Sequence, residues 1–182
     1  MKTSAMTPPA IALDNRELSF ESPIFMGILN ITPDSFSDGG QLTSADSVLR
    51  QADSLVTAGA TILDIGGESS RPGAAPVSEE EEKRRVLPVF EAIAKESFPA
   101  FLSIDTHKAS VAQAAIDRGA CIINDISALR DPDMAPLAAR TKAALILMHM
   151  RGTPQTMQEG NIEYSDVADE IATFLKQRIH AA

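Results

Sequence analysis

The chain predicts an α/β fold, a partial (β/α)8 TIM barrel of about five βα units behind a short N-terminal hairpin. Three observations support this. Apolar stretches of strand length alternate about five times with segments of helical periodicity from Phe25 onward. The strand-like stretches are continuous apolar runs, as in a parallel sheet covered on both faces. Nearly every run ends on its C-terminal side in a polar group: Asn30, Asp64, Asp105, Asn124 and His149. Barrel enzymes collect their sites from several such strand ends. An open doubly wound sheet collects its site at one switch point, and a dinucleotide binder carries G-x-G-x-x-G after its first strand. The loop NITPDSFSDGG has no such pattern. A complete barrel takes about 250 residues, so these 182 residues are expected to stop short of one.

Residues 1–10 lack periodicity and read as a disordered tail, with residues 11–182 as the barrel domain. In 11–20, two short arms flank Asp14-Asn15, the signature of a hairpin. FMGIL is the first barrel strand. Ser44 then caps a helix whose Ala45, Val48, Leu49, Ala52, Leu55 and Val56 share one face, and Gly59 ends it. TILDIGG (61–67) is the second strand. Ser78 and Glu81 form a capping box for a helix with Leu87, Phe90 and Ile93 inward and a kink at Pro88. FLSID (101–105) is the third strand. Thr106 caps the next helix, with Val111, Ala114 and Ala115 inward and Gly119 at its end. CIIND (121–125) is the fourth strand, and Asp131-Pro132 opens a helix as N-cap and first residue. AALILMHM (143–150) is the fifth strand, and Ser165 caps a last helix through Val167, Ile171, Phe174 and Ile179.

Composition narrows the function. The formal charge is −9, which argues against a nucleic-acid surface, because phosphate backbones call for dense Lys and Arg. The single cysteine, Cys121, cannot form an internal disulfide and reads as a small core residue in a reducing compartment. The N-terminus has no signal-peptide pattern, and no apolar run approaches the roughly 20 residues that span a bilayer. A cytoplasmic protein is expected.

Five segments carry possible chemistry, each with two readings. Asn30 offers an amide oxygen to Mg2+, which prefers oxygen ligands; alternatively Asn30 and Asp34 form turns. In DIGGESSRPG the two glycines let backbone approach a ligand, and Arg71 can pair with a phosphate or carboxylate; alternatively this is a Gly-rich turn with a solvated Arg. Asp105 can accept two parallel N–H bonds from the N–C–N edge of a flat heterocycle, or it caps the following helix. Asn124 can donate and accept to the same heterocycle, or it belongs to a turn. His149 has no second His, Cys or carboxylate at ligand spacing and reads as structural. The acidic run Glu79–Glu82 reads as a helix start favoured by the dipole, without function.

Taken together, MGILNITPDSFSDGG, GATILDIGGESSRPGA, SIDTHKASVAQAAIDRGACIINDIS and LMHMRGTPQTMQ closely resemble the dihydropteroate synthase family, in its order and spacing. The resemblance implies a transferase of folate biosynthesis. In that reaction p-aminobenzoate attacks the methylene carbon of 6-hydroxymethyl-7,8-dihydropterin diphosphate and pyrophosphate leaves, assisted by Mg2+. It implies Asn30 as the metal-linked residue and Asp105 and Asn124 at the pterin edge. Ile28, Ile126 and Met148 would line that pocket. Ser69, Ser70 and Arg71, together with Asp34 and Phe36, would form the p-aminobenzoate pocket that sulfonamides also occupy, with Asp34 and Arg71 assigned to catalysis. Ser70 stands where the family usually has Thr. The family's C-terminal third, with further pterin and diphosphate ligands and most of a homodimer interface, is not matched here, so weak or no turnover is expected of this chain alone. A pterin-binding methyltransferase barrel and a non-catalytic interaction module are the alternatives.

Overall fold

The computed structural model describes residues 10–31, 44–158, 160 and 163–182. The expectations for residues 1–9 and for the loop with Asp34 and Phe36 lie outside the described residues. Ala10, expected in the tail, instead starts β1 (Ala10–Leu13), which pairs antiparallel with β2 (Arg16–Ser19) across Asp14-Asn15. Asp14 sits at φ 52°, a turn conformation that Asp tolerates better than most residues.

Five parallel strands follow: β3 (Met26–Asn30), β4 (Ile62–Gly66), β5 (Phe101–Asp105), β6 (Ile122–Asp125) and β7 (Ala144–Leu147). Their spatial order is β3-β4-β5-β6-β7, identical to their order in the chain. No reversal interrupts it, so there is no switch point of the doubly wound kind. A strictly sequential parallel sheet is the wall of a barrel. The fifth strand is shorter than the expected 143–150, and all four of its residues are only half-buried. Among the described residues β6 is its one neighbour, so no second ladder extends it.

The helices are α1 (Ser44–Thr57), α2 (Glu79–Glu96), α3 (Ala109–Ile116), α4 (Met134–Thr141) and α5 (Val167–Ala181). Four caps differ from the sequence reading. The Ser78 hydroxyl accepts from Glu81 N as expected, but the Glu81 carboxylate does not reach back to complete the box. It binds Arg84 and Arg85 instead, whose hydrogen bonds hold its pKa down at about 2. Thr106 does not cap α3; its hydroxyl takes the Lys108 N–H. The α3 N-terminus is closed by Asp131, whose Oδ2 accepts from Ala109 N at 2.8 Å. Asp131 is therefore not the N-cap of α4, a position held by Asp133. Asp166, rather than Ser165, caps α5 by accepting from Ala168 N and Asp169 N.

Strand alternation sorts the core into two clusters. On one face Leu29, Leu63, Ile65, Leu102, Ile104 and Ile123 pack against Val48, Ala52, Val86, Phe90, Ile93, Val111, Ala112 and Leu137 of the helices. Ala112, rather than Ala114, is the buried alanine beside Ala115 on α3. On the other face Ile62, Phe101, Cys121 and Ile122 are covered by Leu13 and Leu18 of the hairpin. Arg16 fixes that plug, lying 4.0 Å over the Phe101 ring and donating to Ala100 O at 3.1 Å. Cys121 is buried as expected, and burial pushes its thiol pKa up, away from reactivity. Among the described residues no helix is long and apolar enough to cross a membrane.

Candidate functional site at the strand tips

The face that the hairpin covers at its lower end becomes polar at its upper end. Register pairs Asn30 with Gly66, Gly66 with Asp105, Asp105 with Asn124 and Asn124 with Ile146. Register partners in a parallel sheet point to the same side. Asn30, Asp105 and Asn124 thus stand in one row, one strand spacing of about 4.8 Å per step. One layer below lie Ile28, Asp64 and Ser103, also register partners.

Gly66 makes room within the row. A Cβ there would lie 3.2 Å from Asp105 Oδ2 and 3.3 Å from Asp105 Cβ. Gly67 serves the opposite face, where a Cβ would come 2.8 Å from Val86 Cγ1. Of the glycine pair read as a ligand approach, the second instead admits α2.

Asn124 is fixed in orientation. Its Nδ2 donates to Asp64 Oδ2 at 2.9 Å, across the intervening β5. That bond uses one N–H of the amide and leaves Oδ1 and the other N–H for a ligand. Asp64 is buried, and among the described residues its Oδ1 has no hydrogen-bond partner; Ser103 Oγ and Glu82 Oε1 share that condition.

Asp105 is the most perturbed group in the site. Burial raises its pKa first, and the carboxylates of Asp64, Glu82, Asp125 and Glu68 add to it, to about 7 instead of 3.8. At neutral pH it is divided between acid and carboxylate. A ligand that brings two N–H groups to it favours the carboxylate.

The loops above the row are built from charged side chains. Lys108 Nζ lies 2.5 Å from Glu68 Oε2 and 2.5 Å from Glu82 Oε2. The run Glu79–Glu82 does open α2, as read from the sequence, but Glu82 is fully buried where a solvated first turn was expected. A signal for it existed in the sequence: Glu82 falls in helical phase with Val86, Val89 and Ile93, all buried. Asp125 is buried and holds the loop after β6, with Oδ1 accepting from Ser127 N and Oγ and Oδ2 from Leu129 N. This secures Ala128 and Leu129 at φ 53° and 66°, a strained arrangement for residues with side chains.

A cleft at this end is lined by Glu68, Ser69, Ser70, Glu82, Asp105, Thr106, His107, Ile126 and Pro154. Four expected site residues therefore meet there: Ser69, Ser70, Asp105 and Ile126. Gly73 N donates to Pro154 O at 3.2 Å, tying the loop after β4 to the loop after β7. Arg71 lies on that loop, exposed to solvent. Ile28 and Met148, 58% and 38% exposed, are not among the residues that line this cleft. His149 lies beyond the end of β7, with its ring edge-on to Phe174 at 5.0 Å. Among the described residues no group of three or more His, Cys, Asp or Glu side chains could hold a metal ion.

The chain is similar to known proteins over most of its length. A family model described as pterin binding enzyme matches residues 26–182. Dihydropteroate synthase of Escherichia coli K12 is 49% identical over 162 residues, covering 89% of this chain and 57% of that protein. Folic acid synthesis protein fol1 of Schizosaccharomyces pombe is 46% identical over 172 residues, covering 94% of this chain and 23% of that protein. The Yersinia pestis dihydropteroate synthase, in a sulfonamide drug complex, superposes with TM-score 0.85 at 45% identity, covering 94% of this chain and 62% of that one. The Xanthomonas albilineans enzyme with 4-aminobenzoic acid superposes with TM-score 0.86 at 43% identity, covering 96% of this chain and 61% of that one. The chain spans little more than half the length of its bacterial relatives and less of the longer fungal one.

Proposed function

This chain belongs to the pterin-binding enzyme family, and on that premise we propose that it serves the dihydropteroate synthase reaction by holding the pterin substrate. The observation that carries the reading is the row of Asn30, Asp105 and Asn124 on one face of the sheet. Asp105 accepts two N–H bonds from the pterin's amino-pyrimidinone edge. Asn124, its orientation set by Asp64, accepts from and donates to the adjacent ring atoms. In the reaction the amine of p-aminobenzoate bonds to the methylene carbon of the pterin diphosphate. The carbon–oxygen bond breaks, pyrophosphate takes the electron pair, and the amine proton goes to solvent.

The chain's own donors fit Mg2+ in one limited way. Asn30 supplies a single exposed amide oxygen, and Mg2+ commonly takes one or two protein oxygens with the rest from substrate phosphates and water. When bound with the diphosphate, the ion supplies charge neutralisation on the leaving group. Arg71, exposed on the loop after β4, adds a cation on the same side, and Ser69 and Ser70 offer hydroxyls to p-aminobenzoate.

The test is calorimetric titration with 6-hydroxymethylpterin and its diphosphate, alongside an assay of pyrophosphate release with p-aminobenzoate. Saturable pterin binding is expected that weakens as pH falls below about 7, because the protonated acid no longer accepts two bonds. Asp105→Asn should abolish it. A methylated folate binding more tightly than the pterin diphosphate would replace this reading with methyl transfer, and no binding of either would end it.

A further inference from the structure

We propose that Lys108 is a positioning residue of this site: its ammonium binds Glu68 and Glu82 into one unit and keeps Asp105 able to accept from the ligand. The inference rests on the pterin reading above and deepens it. Three segments meet at one nitrogen. Lys108 follows β5, Glu68 follows β4, and Glu82 lies in the first turn of α2. Both Nζ contacts are 2.5 Å, and the three side chains are 15%, 16% and 0% exposed. The other oxygen of Glu68 accepts from Val77 N at 3.2 Å, so the same carboxylate closes residues 68–77 into a loop. Lys108 therefore anchors the loop that carries Ser69, Ser70 and Arg71.

The electrostatic role follows from what faces Asp105. Glu68, from the loop after β4, and Glu82, from α2, line the same cleft as Asp105, and Asp64 on β4 and Asp125 on β6 add to its acidic surroundings. His107, on the loop after β5, stands 4.0 Å from Glu68 Oε2. Among the described residues Lys108 is the cation paired with Glu68 and Glu82. Burial works against its ammonium, but the hydrogen bonds to Glu68 and then Glu82 outweigh that and raise its pKa. Remove the ammonium, and two carboxylates, one of them fully buried, stand uncompensated near Asp105. The added negative field would then hold Asp105 protonated at neutral pH.

The experiment is a carboxyl 13C NMR titration of the ligand-free chain, with Asp105→Asn used to assign the Asp105 resonance. The parent midpoint is expected near the value of about 7. Lys108→Met should move it up by about one unit, and Glu82→Gln should move it down. Lys108→Met/Glu82→Gln removes one charge of each sign and should return it close to the parent, although the loop is no longer latched. Should Lys108→Met alone not fold, the double variant is compared with Glu82→Gln, and the added Lys108 change must raise the midpoint. Lys108→Arg should keep the parent midpoint. An unmoved midpoint when Lys108 is neutralised, or shifts of the same sign for Lys108→Met and Glu82→Gln, would overturn the proposal. Pterin binding by the parent is measured separately, so a failure there removes the ligand assignment without touching this readout. If pterin does bind, Lys108→Met should weaken it roughly fivefold at pH 7, as the carboxylate fraction falls.

Discussion

On the helix side of the sheet, Leu29, Leu63, Ile65, Ile104 and Ile123 are completely buried and pack in one apolar cluster. On the other side, the upper ends of the same strands carry Asn30, Asp64, Ser103, Asp105 and Asn124. There Asp64 and Ser103 each leave a buried oxygen without a partner among the described residues. One strand contributes to both, residue by alternate residue. The helix side gains stability from every contact, whereas the site side holds polar groups in a conformation that a ligand completes. Substitutions on the two sides should therefore have opposite signs for stability.

The largest expected effect lies on the helix side. Phe90→Ala removes a fully buried ring and should cost about 3–5 kcal/mol in urea unfolding. On the site side, Asp105→Asn should stabilise the chain at about pH 8 while abolishing pterin binding. The folded-state pKa of about 7 lies above the ordinary 3.8, so the folded protein binds more protons than the unfolded one between those values. Stability should fall as pH rises through that window and be lowest above it. The full interval is worth at most about 4 kcal/mol, and Asn should recover about 1–3 kcal/mol of it and flatten the slope. A destabilised Asp105→Asn with an unchanged pH slope would break the comparison.

Smaller changes sharpen it. Asp131→Ala strips a carboxylate from Ala109 N and Asp133 N, at 2.8 and 3.0 Å, and should cost about 1–2 kcal/mol without altering pterin affinity. Asp64→Asn should do the reverse. Stability should change little, while pterin affinity drops roughly tenfold as the Asn124 amide loses its fixed orientation. The least effect is expected for Ser70→Thr, exposed on its loop, where stability should stay within about 0.5 kcal/mol and binding unchanged.

What the sequence determined alone was whatever neighbours in the chain decide. Continuous apolar runs marked the strands, helical periodicity marked the faces of α1 and α2, and the turn at Asp14-Asn15 was legible from its residue types. The strand-tip residues Asn30, Asp105 and Asn124 could be named from position, because a polar group ending a buried strand is costly unless it has a task. Their alignment in one row followed only from the parallel register.

The tertiary structure decided every bond between residues far apart in the chain. Asp131 caps a helix 22 residues before it, Lys108 joins Glu82 and Glu68 at separations of 26 and 40, and Asp64 orients Asn124 from 60 residues away. Asp131 was read as a cap for the helix that follows it because local reasoning assigns a carboxylate to the nearest free N–H groups. In the folded chain it meets those that packing brings to it. For the same reason a charged residue such as Glu82, surface-like in composition, becomes buried once α2 is pressed against the sheet and a lysine from another loop arrives to neutralise it.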